Sequence, residues 1–235
     1  MAQHISSAFD RDLEAVQAQI IKMGGLVEAA ILDSAKALEE RDTELAEKVR
    51  KADKAVDALE TTINEECARI IALRAPVSTD LRTVLAVMKI NGNLERVGDY
   101  AKNCAKRVPV IAQGQRISGP DAALRRMARE VQDMLKDMLD ALIQRDAALA
   151  ADVRLRDQDV DQMYNALFRE VLTFMLEDPR NITACMHLHF IAKNIERMGD
   201  LVTNMAEQVI YLVTGELPED PRPKGDNTSL IAEVK

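Results

Sequence analysis

Apolar residues recur along the first stretch of the chain at alternating steps of four and three: Phe9, Leu13, Val16, Ile20, Met23, Val27 and Ala30. That heptad seam predicts a helix from about Ser7 to Leu38 with one face buried in a bundle. Arg41-Asp42 interrupts it, and Asp42 is placed to cap a second helix whose seam is Leu45, Val49, Ala52, Val56, Leu59, Ile63, Cys67 and Ile70. Ala75-Pro76-Val77-Ser78 then turns the chain, with Ser78 as the expected cap of a third helix. That helix is expected to run to about Ala112 through Val84, Val87, Asn91, Leu94, Gly98, Ala101, Ala105 and Val108. Long helices joined by short turns predict an antiparallel three-helix bundle over residues 1–112.

Residues 113–120, with Gly114, Gly119 and Pro120, read as a linker, and the pattern then restarts over 121–215. Leu124, Met127, Val131, Met134, Met138 and Leu142 line a fourth helix, and Arg145-Asp146 repeats Arg41-Asp42 at an offset of 104. At that offset Leu149, Val153, Val160, Met163, Leu167, Val171 and Phe174 line a fifth helix. Asp178-Pro179 makes a turn, and Cys185, Leu188, Ala192, Ile195, Gly199, Val202, Ala206 and Val209 line a sixth, which Gly215 ends. The chain is therefore expected to be all-α, a tandem duplication of an antiparallel three-helix bundle with six long helices. Residues 216–235, with Pro218, Pro221 and Pro223 among polar neighbours, read as a flexible tail.

Composition fits this picture: aromatics are 3% of 235 residues and tryptophan is absent, a palette of long helices. A net charge of −8 argues against a nucleic-acid partner. Cys67, Cys104 and Cys185 have neither CxxC spacing nor an even count, and are expected to be reduced, buried thiols. The N-terminal residues lack a basic segment followed by an apolar run, so no signal peptide is expected. No run approaches about 18 consecutive apolar residues, which argues against a transmembrane helix. The expectation is a cytoplasmic protein that meets membranes only through partners.

One polar pattern stands out against the seams. Asn93-Leu-Glu-Arg-Val-Gly-Asp99 returns as Asn194-Ile-Glu-Arg-Met-Gly-Asp200, in a register of 101 residues. In each copy three oxygen-bearing side chains stand four apart, Glu95, Asp99 and Asn103 or Glu196, Asp200 and Asn204, and stack on one helix face. Acidic residues so spaced repel, at a small cost unless a cation or a basic partner offsets it. They lie one position past the apolar seam, which places them on a flank, neither in the core nor on the far solvent face. Asp53 and Asp57, repeated as Asp157 and Asp161, form a similar flank on the second and fifth helices.

Ordinary charged flanks paired with lysine or arginine are one explanation. The other is cation binding by Glu95, Asp99, Glu196 and Asp200, with Asn103, Asn204, Asp53 and Asp157 completing the shells. All-oxygen ligands suit Mg²⁺, Mn²⁺ or iron, with Zn²⁺ also admissible. No Glu-x-x-His occurs, so the di-iron sites of ferritin-like bundles are not encoded. His187 and His189 point to nearly opposite sides of a helix and cannot chelate together; His189 is expected to pack or to lie at the surface. Seam methionines such as Met127 and Met134 are core fillers. No nucleophile–base pair or glycine-rich phosphate loop occurs, so the expectation is a protein that is not an enzyme.

Taken together, Ala75-Pro-Val-Ser-Thr-Asp-Leu-Arg82, Met88-Lys-Ile90 and the two Glu-Arg-x-Gly-Asp copies resemble the PhoU family, bacterial phosphate-transport regulators. The likeness covers residues 1 to about 215 and departs at Asp178-Pro-Arg-Asn181, which replaces the Pro-Val-Ser-Thr-Asp-Leu-Arg run. The resemblance implies tandem three-helix bundles, often a homodimer, with metal ions or clusters held through Glu95-Asp99 and Glu196-Asp200. It also implies a negative regulator that couples a phosphate ABC transporter, through its ATPase subunit, to a sensor histidine kinase, favouring dephosphorylation of the response regulator. Alternatives are an accessory protein of an ion-coupled phosphate transporter and a metal-dependent hydrolase.

Overall fold

The computed structural model describes residues 2–220, with side chains from Phe9 onward. Seven α-helices follow in order: α1 Ala2–Glu40, α2 Thr43–Arg74, α3 Thr79–Ala105, α4 Val108–Gln113, α5 Pro120–Gln144, α6 Ala147–Glu177 and α7 Ile182–Thr214. A 3-10 turn, Pro179–Asn181, leads into α7. Six of the helices are long, and no strand occurs among the described residues.

The seam residues form the core. Val16, Ile20, Met23 and Val27 of α1, Val84, Val87 and Leu94 of α3, and Leu124, Met127, Val131, Met134, Met138 and Leu142 of α5 are buried. A window of α1 within Phe9–Glu40 is long and apolar enough to cross a membrane by length and composition. The run-length expectation missed this because polar residues interrupt the window. Here those apolar residues pack on α2, α3 and α5 instead.

The duplication reaches the turns. Arg41 and Arg145 both adopt left-handed backbone, with φ of 56° and 53°. Each is followed by an aspartate cap: Asp42 accepts from the amides of Glu44 and Leu45, and Asp146 from those of Ala148 and Leu149. Gly215, at φ 91°, closes α7. Ser78 does not cap α3 as expected. It has φ 54° and no side-chain cap bond, whereas a capping residue ordinarily takes extended backbone with negative φ, as Asp42 and Asp146 do.

The third helix is also shorter than its seam. It stops at Ala105, and α4 carries Val108 into the core as a separate piece. Pro109 explains the break: it lacks an N–H to donate, and its ring would strike the carbonyl of Ala105 in a continuous helix. The linker expected at 113–120 is shorter and pinned. Gln113 ends α4, Pro120 starts α5 and Ile117 is buried. Arg41 Nη1 donates to the carbonyl of Gly114 at 2.7 Å, and Arg116 Nη2 donates to that of Glu39 at 2.5 Å. Residues 216–220 follow α7 without helix, and the rest of the expected tail, 221–235, lies outside the described residues.

Corresponding helices of the two bundles pack against each other in opposite directions. Along α1 and α5, Gln132 donates to Glu28 at 2.9 Å and Arg125 pairs with Glu39. Gly24 lies where a Cβ would come within 2.4 Å of a Leu139 methyl, so a larger residue there would require the Leu139 side chain to shift. Along α3 and α7, the Cys104 thiol donates to the carbonyl of Ile191 at 3.9 Å, while Arg82 lies over Tyr211 at the far end. The halves are thus related by an approximate twofold, with α2 and α6 on the outside.

Candidate functional site

Each acidic ladder faces the outer helix of its own bundle across a glycine. Beside Gly98, a Cβ would meet Val56 at 3.4 Å and Asp53 Oδ1 at 3.6 Å. Beside Gly199, it would meet Asp157 Oδ1 at 2.9 Å, tighter than real contacts allow. Both motif glycines thus face an aspartate of the neighbouring helix, and Gly199 makes room for its carboxylate.

That packing changes the expected seams. Asp53 and Asp157 are buried, whereas Ala52, assigned to the seam of α2, is exposed. A step of four followed by three, Val49–Asp53–Val56, replaces three followed by four; both are heptad spacings, and the first is the one that turns inward. Glu196 and Asp161 are buried as well, so the second ladder departs from the expected flank at Glu196, whereas Asp200 is part-exposed as a flank predicts. Glu95 and Asp99 are part-exposed, as a flank predicts, and Asn103 and Asn204 are exposed.

The first ladder has a basic partner. Lys102 Nζ donates to Asp53 Oδ2 at 2.5 Å and to Asp99 Oδ1 at 2.8 Å, joining α2 to α3. These two carboxylates hold the lysine above its ordinary pKa. Asp53 is nevertheless raised, because burial outweighs the attraction of Lys102. Glu95 is raised too, first by burial and then by the negative charges of Asp99, Glu60 and Asp57.

The second ladder is built differently. Lys193 Nζ lies 2.9 Å from Glu196 Oε1, and over the ring of Tyr164 at 4.9 Å from its centroid. Glu196 Oε2 is buried with no hydrogen-bond partner. At position 203, the counterpart of Lys102, a threonine turns its hydroxyl back onto the carbonyls of Gly199 and Asp200. Among the described residues, no three His, Cys, Asp or Glu side chains form a ready metal-binding group.

The two lysines are what sequence reasoning missed. Both were legible as basic residues three positions from a ladder acid, Lys102 after Asp99 and Lys193 before Glu196, a spacing that places side chains in contact on a helix. The histidines behave as expected. His189 packs among Tyr164, Phe168 and Phe190, and His187 meets Arg107 at 3.3 Å. Burial lowers both imidazoles, aided by Arg107 for His187 and by Lys193 for His189. The three cysteines are free and buried; burial pushes Cys67 to about 11 and Cys104 to about 12, which keeps both as thiols at neutral pH. A cavity of about 450 Å³ between α3 and α7, lined by Leu85, Met88, Lys89, Gln208, Tyr211 and Leu217, includes no ladder residue.

The profile of the PhoU domain matches residues 20–108 and 124–209, one match in each bundle. A Rhizobium meliloti protein described as a phosphate-specific transport system accessory protein PhoU homolog is 44% identical over 231 residues, 98% of either chain. The crystal structure of PhoU from Pseudomonas aeruginosa superposes with a TM-score of 0.85 at 38% identity, covering 88% of this chain and 100% of that one. The phosphate transport system regulatory protein PhoU from Streptococcus pneumoniae superposes with a TM-score of 0.83 at 30% identity, covering 90% of this chain and 99% of that one. With two domain matches, near full-length relatives and a common fold, the chain belongs to the PhoU family.

Proposed function

We propose that this protein is a non-catalytic regulator of phosphate transport. It acts in the cytoplasm as a homodimer between a phosphate ABC transporter's ATPase subunit and a sensor histidine kinase. When phosphate is ample, it restrains uptake and favours dephosphorylation of the response regulator. The observation that supports this most is the near full-length likeness to relatives described as phosphate-specific transport accessory proteins. Deleting the gene is expected to leave starvation genes expressed in rich phosphate. A reporter that stays repressed in the deletion strain would sink the regulatory reading. Capture of the tagged full chain in high and low phosphate, with identification of what accompanies it, tests the kinase and the transporter as partners.

The acidic ladders give this reading a cation-binding element. The fit is best at the second: Glu196 has a buried oxygen without a donor, Asp157 is admitted by Gly199, and Asp200 lies on the next turn. Mg²⁺, Mn²⁺, iron or Zn²⁺ held there would neutralise paired carboxylates and join α6 to α7. A site filled at a hundredfold excess over its dissociation constant would add about 2.7 kcal/mol of stability. Changing Asp99 and Asp200 together to Asn is expected to abolish the metal-dependent rise in melting temperature. An identical response of wild type and double variant to added metal would remove cation binding from the reading.

A further inference from the structure

The first ladder already contains a cation. Lys102 leaves α3 one turn beyond Asp99 and reaches back to Asp53 on α2, so its ammonium lies between carboxylates of two helices. Those are carboxylates a bound metal ion would have to share. The side chain of Asp53 is 6% exposed, whereas those of Asp99 and Lys102 are 46% and 38% exposed. The buried end of the pair is therefore fixed by packing, and the lysine end has room to swing into solvent. We propose that Lys102 is a tethered cation that fills the first ladder in place of a metal ion, so that an ion enters only by displacing it.

This inference rests on the cation-binding reading and divides it between the repeats. At the equivalent position of the second repeat, Thr203 supplies no positive charge and bonds to its own helix. Lys193 enters that ladder from the other end, on Glu196. One duplicated motif thus carries its fixed charge at opposite ends. In the first repeat that charge joins Asp53 to Asp99. An ammonium and a divalent ion compete for those two carboxylates, because like charges at such separations repel. The first ladder should consequently bind metal more weakly than the same carboxylates without the lysine, by roughly tenfold or more.

The test uses the full chain and Mn²⁺, with bound ion counted by equilibrium dialysis and stability followed by thermal unfolding. Lys102→Thr is expected to gain an Mn²⁺ site, or to tighten one by roughly tenfold. Adding Asp99→Asn should remove that gain. Lys102→Gln, which keeps length and removes charge, should show the same gain and covers the case in which the threonine variant does not fold. Equal Mn²⁺ binding by wild type and both lysine variants would overturn the proposal, as would loss of a bound ion from wild type on Asp99→Asn alone. Asp200→Asn in the wild-type background judges the second ladder separately. If it changes nothing there while Lys102→Thr gains a site, the second-ladder reading fails and the role of Lys102 stands.

Discussion

Two copies of Glu-Arg-x-Gly-Asp, in one register and on equivalent helices, have ended in different electrostatic settings. In the first bundle Glu95 and Asp99 are part-exposed, and a lysine joins the ladder to the outer helix. In the second, Glu196 is buried, position 203 carries a threonine, and the neighbouring aspartate lies closer to the motif glycine. The plan common to both comprises the aspartate cap, the left-handed arginine and a glycine that faces an aspartate of the outer helix. What differs is where each ladder meets its fixed positive charge. A repeated motif therefore specifies a place for carboxylates between two helices, and residues three positions away determine how that negative charge is balanced.

The glycines offer the largest contrast. At Gly199 an added methyl would lie 2.9 Å from Asp157 Oδ1, with Val160 at 3.5 Å and Val131 at 3.7 Å, leaving a buried aspartate no easy retreat. Gly199→Ala is expected to destabilise the protein by about 1 to 3 kcal/mol through overpacking. Gly98→Ala meets Val56 at 3.4 Å and Asp53 Oδ1 at 3.6 Å, ordinary contact. There the gain in helix propensity, about 1 kcal/mol, makes the change neutral or stabilising. Urea unfolding of both variants measures the difference, and equal losses would mean that the two glycines do the same work.

The turns should show no such contrast. Asp42 and Asp146 accept from two amides each, at 2.9 and 2.9 Å and at 2.8 and 3.0 Å. Asp42→Ala and Asp146→Ala are each expected to cost about 1 kcal/mol, the usual value of a helix N-cap. Thermal unfolding of the single variants checks this. A cost confined to one of them would show that the duplication is less faithful at its turns than their geometry indicates.

These cases mark what the sequence made legible. The six long helices, the duplication and the Asp42 and Asp146 caps followed from periodicity and short-range hydrogen bonding, which need no knowledge of neighbours. The end of α3 was missed although Pro109 announced it, because Val108 continued the apolar seam so regularly. Asp53 and Ala52 could not be told apart from spacing, since both fit a heptad; which of them meets Gly98 and Lys102 is a matter of contact between two helices. The failed Ser78 cap has a similar origin, as residue type suits the role and backbone conformation does not. The ladder acids were legible from their register and their lysines from i,i+3 spacing, whereas burial and the Lys102 bond to Asp53 depended on which face each helix turned towards the other.

The smallest effect has the sharpest sign. Glu95 is raised by burial and by the charges of Asp99, Glu60 and Asp57, so the folded state holds its proton to higher pH than the unfolded chain does. Below the ordinary glutamate range both states are protonated and Glu95 contributes nothing by ionisation. As pH rises through that range and then through the raised folded value, the folded state binds more protons than the unfolded one, and stability falls. Glu95→Gln lacks that loss. Its advantage over wild type should therefore grow through this window and level off above it, at a few tenths of a kcal/mol for relieved helical repulsion, about 0.2 to 0.5. Glu196→Gln should act in the opposite direction at neutral pH, because it removes the 2.9 Å ion pair with Lys193 from a buried site and leaves that ammonium with less compensation. Melting temperatures of both variants across pH 4 to 8, roughly the span over which carboxylates titrate, would decide the matter. A shift of the same sign in both would mean that the two ladders, despite their different lysines, carry their charge in the same way.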